Sequence, residues 1–254
     1  MFAESDLTED TFLGGRLRIW QPRRGYRAGV DPVLLAAAVA ARPGQSVLEL
    51  GCGAGVASLC LAVRVDGLDL AGIELQPAYA ALARRNADVN GIALAVHEGD
   101  IRVMPPALRA RQFDHVIANP PYFRSGNRRP AADVGRETAL AGPAGPDEWV
   151  AAASRRLKPG GFLALIQHIS RLPEVLTACQ AHLGSLHAFP VVSRAGHAPQ
   201  RVILRARKGG RGDFRLAAPI VMHEGARHEA DGESYTAHLR AVLREGAALL
   251  SGND

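Results

Sequence analysis

The chain alternates short apolar stretches with segments of helical periodicity from residue 46 to residue 167, and this alternation constrains its fold most. The predicted strands are residues 46–50, 70–73, 94–97, 113–118 and 162–167. The predicted helices between them are residues 56–65, 77–90 and 147–157. Parallel strands need a crossover connection, which is usually a helix. The pattern therefore predicts an α/β fold, a mostly parallel sheet with helices on both faces.

The sequence after residue 167 continues the same pattern. A helix is predicted at 171–183, and strands at 186–193 and 201–207 bring the sheet to seven. A last strand near 216–222 and a helix at 234–250 follow. Residues 124–146 are rich in Gly, Pro and Arg and predict a long loop. A loop of that length in a compact domain is usually functional or mobile.

The N-terminal residues predict a short extension ahead of the sheet. The first dozen residues carry no clear pattern, and residues 16–21 alternate as a strand does before the turn-like sequence PRRG. We expect a hairpin that ends near Tyr26. Asp31 as N-cap and Pro32 at the first helical position then begin a helix. The chain is divided accordingly into an extension, 1–44, and one domain, 45–254.

Composition narrows the setting of the protein. The 254 residues hold 30 basic and 25 acidic side chains, a net charge of +5. A basic balance suits a nucleic-acid partner. The alternative is coding bias, because only two of the 30 basic residues are lysines. Three cysteines without paired spacing argue against disulfides and a zinc site. Without a membrane span or a signal sequence, we expect a cytoplasmic protein with no metal and no membrane contact.

A glycine-rich turn joins the first predicted strand of the sheet to the next helix. It contains Gly51 and Gly53, and Glu49 precedes it. Such a turn lets a ligand approach bare backbone. Glu74 and Asp100 follow the next two strands, at the edge where ligands bind in such sheets.

The spacing of the glycines indicates which nucleoside cofactor fits. The dinucleotide pattern G-x-G-x-x-G would need glycine at Val56. The observed G-x-G-x-G after an acid suits S-adenosylmethionine better than NAD. A tight turn with capping acids and no ligand is the alternative.

A second motif, residues 119–123 (NPPYF), follows the fourth predicted strand. Two prolines stiffen the backbone, and Pro120 keeps Asn119 out of the helical region. The Asn119 side-chain oxygen and the Pro120 carbonyl can accept both N–H groups of a planar amino nitrogen. This pulls the nitrogen toward tetrahedral geometry and aims its lone pair at an electrophilic methyl group. Tyr122 can stack on the planar group. A proline-containing loop with a buried tyrosine is the alternative.

These motifs together resemble those of class I S-adenosylmethionine-dependent N-methyltransferases, whose fold is Rossmann-like. The segments that carry the resemblance are 49–55 (ELGCGAG), 73–77 (IELQP), 98–101 (EGDI) and 119–123 (NPPYF). Residues 25–35 (GYRAGVDPVLL) are similar to the N-terminal signature of the bacterial tRNA1(Val) adenine N6-methyltransferases, which modify an adenine beside the anticodon. That signature often has Thr before the Asp, where this chain has Val30.

The resemblance implies a role for each matching residue. The catalytic residues would be Asn119, Pro120 and Tyr122. The residues that hold S-adenosylmethionine would be Asp31, Glu49, Gly51, Gly53, Glu74, Asp100 and Asn119. Among these, Glu49 would lie near the amino-acid end, Glu74 would hold the ribose and Asp100 would contact the adenine. Asp31 would lie near the methionine end or shape the pocket.

Basic residues beside the second motif suggest where an RNA substrate would lie. The predicted substrate-binding residues are Tyr122, Phe123, Arg124, Arg128 and Arg129. Arginines next to a base pocket supply the phosphate contacts that RNA requires. Arginines in the first turn, near Trp20 and Tyr26, are further candidates. The alternating arginines of the strand at 201–207 fit a solvated face better.

The prediction for function is methyl transfer to the N6 amino group of an adenine in RNA, with tRNA as partner and a monomeric enzyme. The alternative is a release-factor glutamine N5-methyltransferase, since a side-chain amide presents the same planar nitrogen. The short stretch ahead of the first sheet strand and the basic balance weigh against it. A non-catalytic RNA-binding module and a DNA methyltransferase are the other hypotheses.

Overall fold

The N-terminal residues form a hairpin in the computed structural model, which describes residues 2–121, 144–225 and 234–250. β1 (Leu7–Phe12) pairs antiparallel with β2 (Leu17–Pro22). The prediction that the first dozen residues are irregular is therefore wrong, and the hairpin turn precedes β2 rather than following it. The polar residues of β1 concealed its strand pattern, because only Leu7 of this strand is buried.

The remaining elements follow the predicted alternation. The strands are β3 Ser46–Leu50, β4 Asp69–Glu74, β5 Ala95–Glu98, β6 Phe113–Ala118, β7 Leu157–His168, β8 Gly184–Val192, β9 Arg201–Arg207, β10 Arg215–Leu216 and β11 Ile220–Val221. The helices are α1 Asp31–Ala37, α2 Val56–Arg64, α3 Pro77–Val89, α4 Pro106–Arg109, α5 Pro146–Arg156, α6 Leu172–His182 and α7 Ala237–Arg240.

The main sheet has the order β10-β8-β9-β7-β6-β3-β4-β5, and β11 also pairs with β8. β9 runs antiparallel to β7 and β8, and the other pairs are parallel. The predicted mostly parallel sheet is confirmed. Its described part has nine strands rather than seven, because two-residue strands add to the edge of β8. The single strand predicted near 216–222 is divided at Pro219, which has no N–H for a ladder bond.

The C-terminal helix is shorter than the sequence predicts. α7 continues into a π-helical turn, Ala241–Glu245, and Gly246 ends it at φ +72°. This left-handed conformation is the usual way for glycine to terminate a helix.

Two hydrophobic cores cover the two faces of the sheet, so the predicted placement of helices on both faces is confirmed. Val47 and Ile117 face the core formed with α1, α2 and the hairpin. Their strand neighbours Leu48 and Val116 face the core formed with α5 and α6. This alternation is the two-residue period of a strand buried on both sides. None of the described helices is long and apolar enough to cross a membrane.

Candidate active site

A cavity of about 340 Å³ opens at the carboxyl ends of β3, β4 and β6, beneath the segment that leads into α1. Its volume lies within the range of about 300–1,000 Å³ that is usual for ligand pockets. The side chains that line it include Tyr26, Asp31, Glu49, Glu74, Asp100 and Asn119. The predicted site residues of the described chain thus share one cavity, because parallel strands end at the same sheet edge.

The glycine turn exposes its backbone to this cavity. Gly51 and Gly53 adopt positive φ angles of +63° and +53°. A Cβ atom on Gly53 would meet nothing within 4 Å, so its backbone faces open space. A Cβ on Gly51 would lie 2.6 Å from the indole of Trp149. The backbone of Gly53 is therefore open to the cavity, whereas Gly51 leaves room for Trp149, a neighbour that the sequence did not indicate.

We expect Gly51→Ala to destabilise the protein more than Gly91→Ala does. Both glycines have φ +63°, but a Cβ on Gly91 meets nothing within 4 Å. Both variants carry the same backbone strain, and only Gly51→Ala also overpacks Trp149. The free energy of unfolding should fall by a further ~1–3 kcal/mol in Gly51→Ala. Denaturant unfolding of the two variants measures the difference, and equal losses would contradict the packing role of Trp149.

Glu74 binds the glycine turn to the end of β4. Its Oε2 accepts the Gly53 N–H at 2.8 Å, and its Oε1 accepts the Gln76 N–H at 2.9 Å. Burial raises the pKa of this carboxyl, and the backbone hydrogen bonds oppose that rise. A carboxylate with both oxygens fixed in this way is preorganised to accept further hydrogen bonds from ligand hydroxyls.

Glu49 is buried beneath the same turn. Its Oε2 accepts hydrogen bonds from the Ser58 N–H at 2.9 Å and the Ser58 hydroxyl at 2.5 Å. Burial raises the pKa of Glu49 to about 7 despite these bonds. This carboxyl therefore changes its charge in the neutral pH range.

Asp100 and Asp31 are both paired with arginines. Asp100 accepts bonds from the Arg102 backbone N–H and guanidinium, and the hydrogen bond to that side chain lowers its pKa. The Asp31 Oδ1 lies 2.5 Å from the Arg201 Nε at the start of β9. The prediction that Asp31 caps α1 is wrong. Val30 occupies the cap position without a side-chain hydrogen bond, and Asp31 is the first helical residue.

The Asn-Pro-Pro corner follows β6 at the floor of the cavity. The Asn119 Nδ2 donates to the Tyr26 hydroxyl at 3.4 Å. The Asn119 Oδ1 is buried, and within the described chain it has no hydrogen-bond partner. A buried acceptor without a donor costs about 1–3 kcal/mol. This oxygen is therefore available to a ligand that brings a donor into the cavity.

Gln167, at the end of β7, holds the backbone of the same corner. Its Nε2 donates to the carbonyls of Pro120 and Pro121 at 3.3 and 3.2 Å. Its Oε1 accepts the His168 N–H at 2.8 Å. Within the described chain, the Pro120 carbonyl thus accepts one side-chain hydrogen bond, and its second lone pair can accept another. Gln167 was not among the site residues predicted from the sequence. It could have been, because Gln167 is a polar residue near the end of an apolar strand, as Glu74 is.

Two of the arginines near Tyr26, Arg23 and Arg27, make contacts within the protein. Arg27 pairs with Asp10 at 2.5 Å, and the Arg23 side chain donates to the Ser5 carbonyl at 3.1 Å. The predicted substrate residues Tyr122, Phe123, Arg124, Arg128 and Arg129 lie outside the described residues. In the part of the chain that is described, no three His, Cys, Asp or Glu side chains group as a metal site would need.

The family-model comparison identifies the class of protein that this fold and cavity define. The model of the methyltransferase small domain matches residues 29–184. The chain is 27% identical to a predicted O-methyltransferase from Agrobacterium tumefaciens, with a TM-score of 0.71 over 88% of this chain and 100% of that one. The predicted Rossmann-like class I methyltransferase fold is confirmed, and S-adenosylmethionine is the methyl donor that the class implies.

Two curated relatives narrow the assignment. The tRNA1(Val) (adenine(37)-N6)-methyltransferase of Actinobacillus succinogenes is 32% identical over 76% of this chain and 81% of its own length. The enzyme of the same name from Aeromonas hydrophila is 33% identical over 74% and 79%. The chain belongs to the methyltransferase small-domain family and, within it, to the family of these two relatives. The resemblance seen in the sequence motifs is confirmed.

Proposed function

We propose that this enzyme transfers a methyl group from S-adenosylmethionine to the N6 amino group of an adenine in tRNA, beside the anticodon. The Asn119 Oδ1 carries the proposal, because this buried oxygen has no partner among the described residues and an amino N–H would supply a donor. The names of the curated relatives support the choice of base and RNA. The acids around the cavity suit a cationic cofactor that bears hydroxyl groups.

The cofactor would bind along the carboxyl ends of β3, β4 and β5. When bound, S-adenosylmethionine supplies an electrophilic methyl group on a positively charged sulfur. Glu74 would accept hydrogen bonds from the ribose hydroxyls, and Glu49 would attract the ammonium group of the methionine part. Gly53 would offer its open backbone. The other residues proposed to hold the cofactor are Asp31, Gly51, Asp100 and Asn119.

Asn119 and Pro120 would prepare the amino nitrogen for attack. The nitrogen lone pair is delocalised into the ring, so the nitrogen is a poor nucleophile. Two N–H bonds held by the Asn119 Oδ1 and the Pro120 carbonyl favour a tetrahedral nitrogen whose lone pair points at the methyl group. Formation of the new N–C bond would break the bond between the methyl group and the sulfur, and the nitrogen would then release one of these protons to solvent water. Gln167 holds the Pro120 carbonyl, and the Tyr26 hydroxyl contacts the Asn119 amide.

The substrate base would stack on Tyr122, and the residues after it would contact the RNA. Phe123 and the arginines at 124, 128 and 129 supply aromatic and cationic groups beside the catalytic corner. Such groups stack on bases and neutralise phosphates. These assignments concern residues 122–143 and rest on the sequence motif alone.

We expect the affinity for S-adenosylmethionine to rise with pH near neutrality. Glu49 has a pKa of about 7 in the free protein and attracts an ammonium group only when ionised. The affinity should increase roughly tenfold from about pH 6 to about pH 7.5. Calorimetric titration measures this, and Glu49→Gln should bind more weakly with no such dependence. A pH dependence that persists in Glu49→Gln would contradict the assignment.

The raised pKa of Glu49 also predicts how Glu49→Gln affects stability, and this shows whether the variant is folded when its cofactor affinity is measured. The pKa of Glu49 is raised from 4.5 to about 7, so the folded protein holds this proton over a range in which the unfolded chain has lost it. Stability of the ligand-free protein due to this group is therefore lost as the pH rises through that range. Ligand-free Glu49→Gln should melt no lower than the unmodified protein above about pH 7.

Transfer of labelled methyl groups tests the proposed function directly. Purified protein is incubated with labelled S-adenosylmethionine and, separately, with bulk tRNA, ribosomal RNA, DNA and a release factor. We expect label on tRNA, and nucleoside analysis should identify N6-methyladenine. Label only on the release factor would establish the glutamine methyltransferase instead. Absence of label on every substrate would overturn the proposal and favour a binding module.

A further inference from the structure

Tyr26 lies in the N-terminal segment ahead of the main sheet, yet its phenol contacts Asn119 of the Asn-Pro-Pro corner. Its hydroxyl accepts the Asn119 Nδ2–H at 3.4 Å, and both side chains line the cavity. Burial raises the pKa of this phenol, so it stays neutral and keeps its O–H proton. Within the described chain, no group accepts a hydrogen bond from that O–H.

The backbone of Tyr26 is fixed by a buried side chain of α3. The Tyr26 N–H donates to the Tyr79 hydroxyl at 2.8 Å, and that hydroxyl donates to the Tyr26 carbonyl at 3.1 Å. Two residues on, the Ala28 N–H donates to the buried side chain of Gln21 at 2.7 Å. The phenol is thus held beside Asn119 by bonds to two other elements.

A hydroxyl and an amide placed in this way present a donor beside an acceptor. The Tyr26 O–H donates, and the Asn119 Oδ1 accepts. Adenine carries the complementary pair on its Watson–Crick edge, where N1 accepts and the N6 amino group donates. Extruded bases are commonly read on this edge. If the Tyr26 O–H donates to N1, the Tyr26 oxygen can only accept a hydrogen bond from the Asn119 NH₂ group. The Asn119 Oδ1 then faces the N6 amino group of the base.

We propose that the Tyr26 hydroxyl donates a hydrogen bond to adenine N1 and so, with Asn119, reads the edge that bears the reacting amino group. This inference rests on the proposed function and adds a specificity-determining residue to it. Guanine has an N1–H donor at the corresponding position. This N1–H and the Tyr26 O–H would be two donors facing each other, so guanine is disfavoured.

A substrate analogue isolates this single hydrogen bond. tRNA substrate is prepared with 1-deazaadenosine at the modified position, where C–H replaces N1, and with 7-deazaadenosine as the matched control. For the unmodified enzyme we expect kcat/KM to fall about tenfold or more with the 1-deaza substrate. The 7-deaza substrate should react nearly as adenosine does.

Tyr26→Phe completes the comparison. It should lower kcat/KM on ordinary tRNA about tenfold or more and show no further loss with the 1-deaza substrate, because the donor is already absent. Its melting temperature and cofactor affinity should match those of the unmodified enzyme. Equal losses with the 1-deaza substrate in both enzymes, or no loss in either, would overturn the inference. Failure of the proposed function would instead appear as no methylation of ordinary tRNA by the unmodified enzyme.

Discussion

Replacing Asn119 by alanine is expected to lower the rate of methyl transfer by a factor of about 10²–10³, the usual cost of losing one preorganised hydrogen-bond partner of a reacting group. The variant removes the acceptor that the reacting N–H needs, and it also removes the bond to Tyr26. The loss should appear mainly in kcat. Single-turnover transfer to tRNA at saturating cofactor measures it.

Asn90→Ala is the matched control for Asn119→Ala. The Asn90 side chain makes three hydrogen bonds, with the Arg18 N–H at 3.0 Å, the Arg18 carbonyl at 2.7 Å and the Asn86 carbonyl at 2.7 Å, but it does not line the cavity. It should lower stability while leaving kcat unchanged. Asn119→Ala with full kcat and only a weaker affinity for substrate would show that this oxygen does not act on the reacting nitrogen.

Glu74→Gln should weaken the binding of S-adenosylmethionine by about 10²-fold, although the two side chains have nearly the same shape. Both Glu74 oxygens accept backbone N–H groups, from Gly53 and Gln76. A glutamine amide has one acceptor, so its NH₂ group would face one of these donors. Two charge-assisted hydrogen bonds, each worth about 1.5–3 kcal/mol, are affected at once.

Glu98→Gln provides the control for Glu74→Gln. Glu98 of β5 lies opposite Glu74 of β4 in the sheet. Its side chain is exposed and forms a salt bridge with Arg84 at 2.8 Å. Exposed ion pairs contribute little, about 0–1 kcal/mol. The affinity for the cofactor, measured by calorimetry, should not change in Glu98→Gln. Similar losses in both variants would show that the general negative charge of this edge, rather than Glu74 itself, attracts the ligand.

The sequence was sufficient to predict the fold class and the sheet edge at which the candidate site residues meet, because both depend on local patterns. The alternation of apolar and amphipathic segments is local, and it determines a parallel sheet. Once the sheet is parallel, Glu49, Glu74 and Asn119 must meet at one edge, since each lies within the last two residues of a strand or directly follows one. Gly53 was recognisable because only glycine readily adopts its conformation.

For β1 and Asp31, the prediction failed because of a contact between distant segments. β1 lacks a strand pattern of its own and forms because β2 offers it a partner. Asp31 has the residue type and the position of an N-cap, but the Arg201 guanidinium, brought close by β9, engages its carboxylate. A local rule cannot anticipate a partner 170 residues away.

The sequence by itself determined the layered architecture, the glycine turn and the row of polar residues along the carboxyl edge of the sheet. Only the tertiary structure decided that Trp149 fills the space above Gly51, that Gln167 holds the proline carbonyls and that Tyr26 reaches Asn119. Strand and turn patterns follow from the backbone preferences of neighbouring residues. Contacts between distant side chains follow from packing, which no single segment encodes.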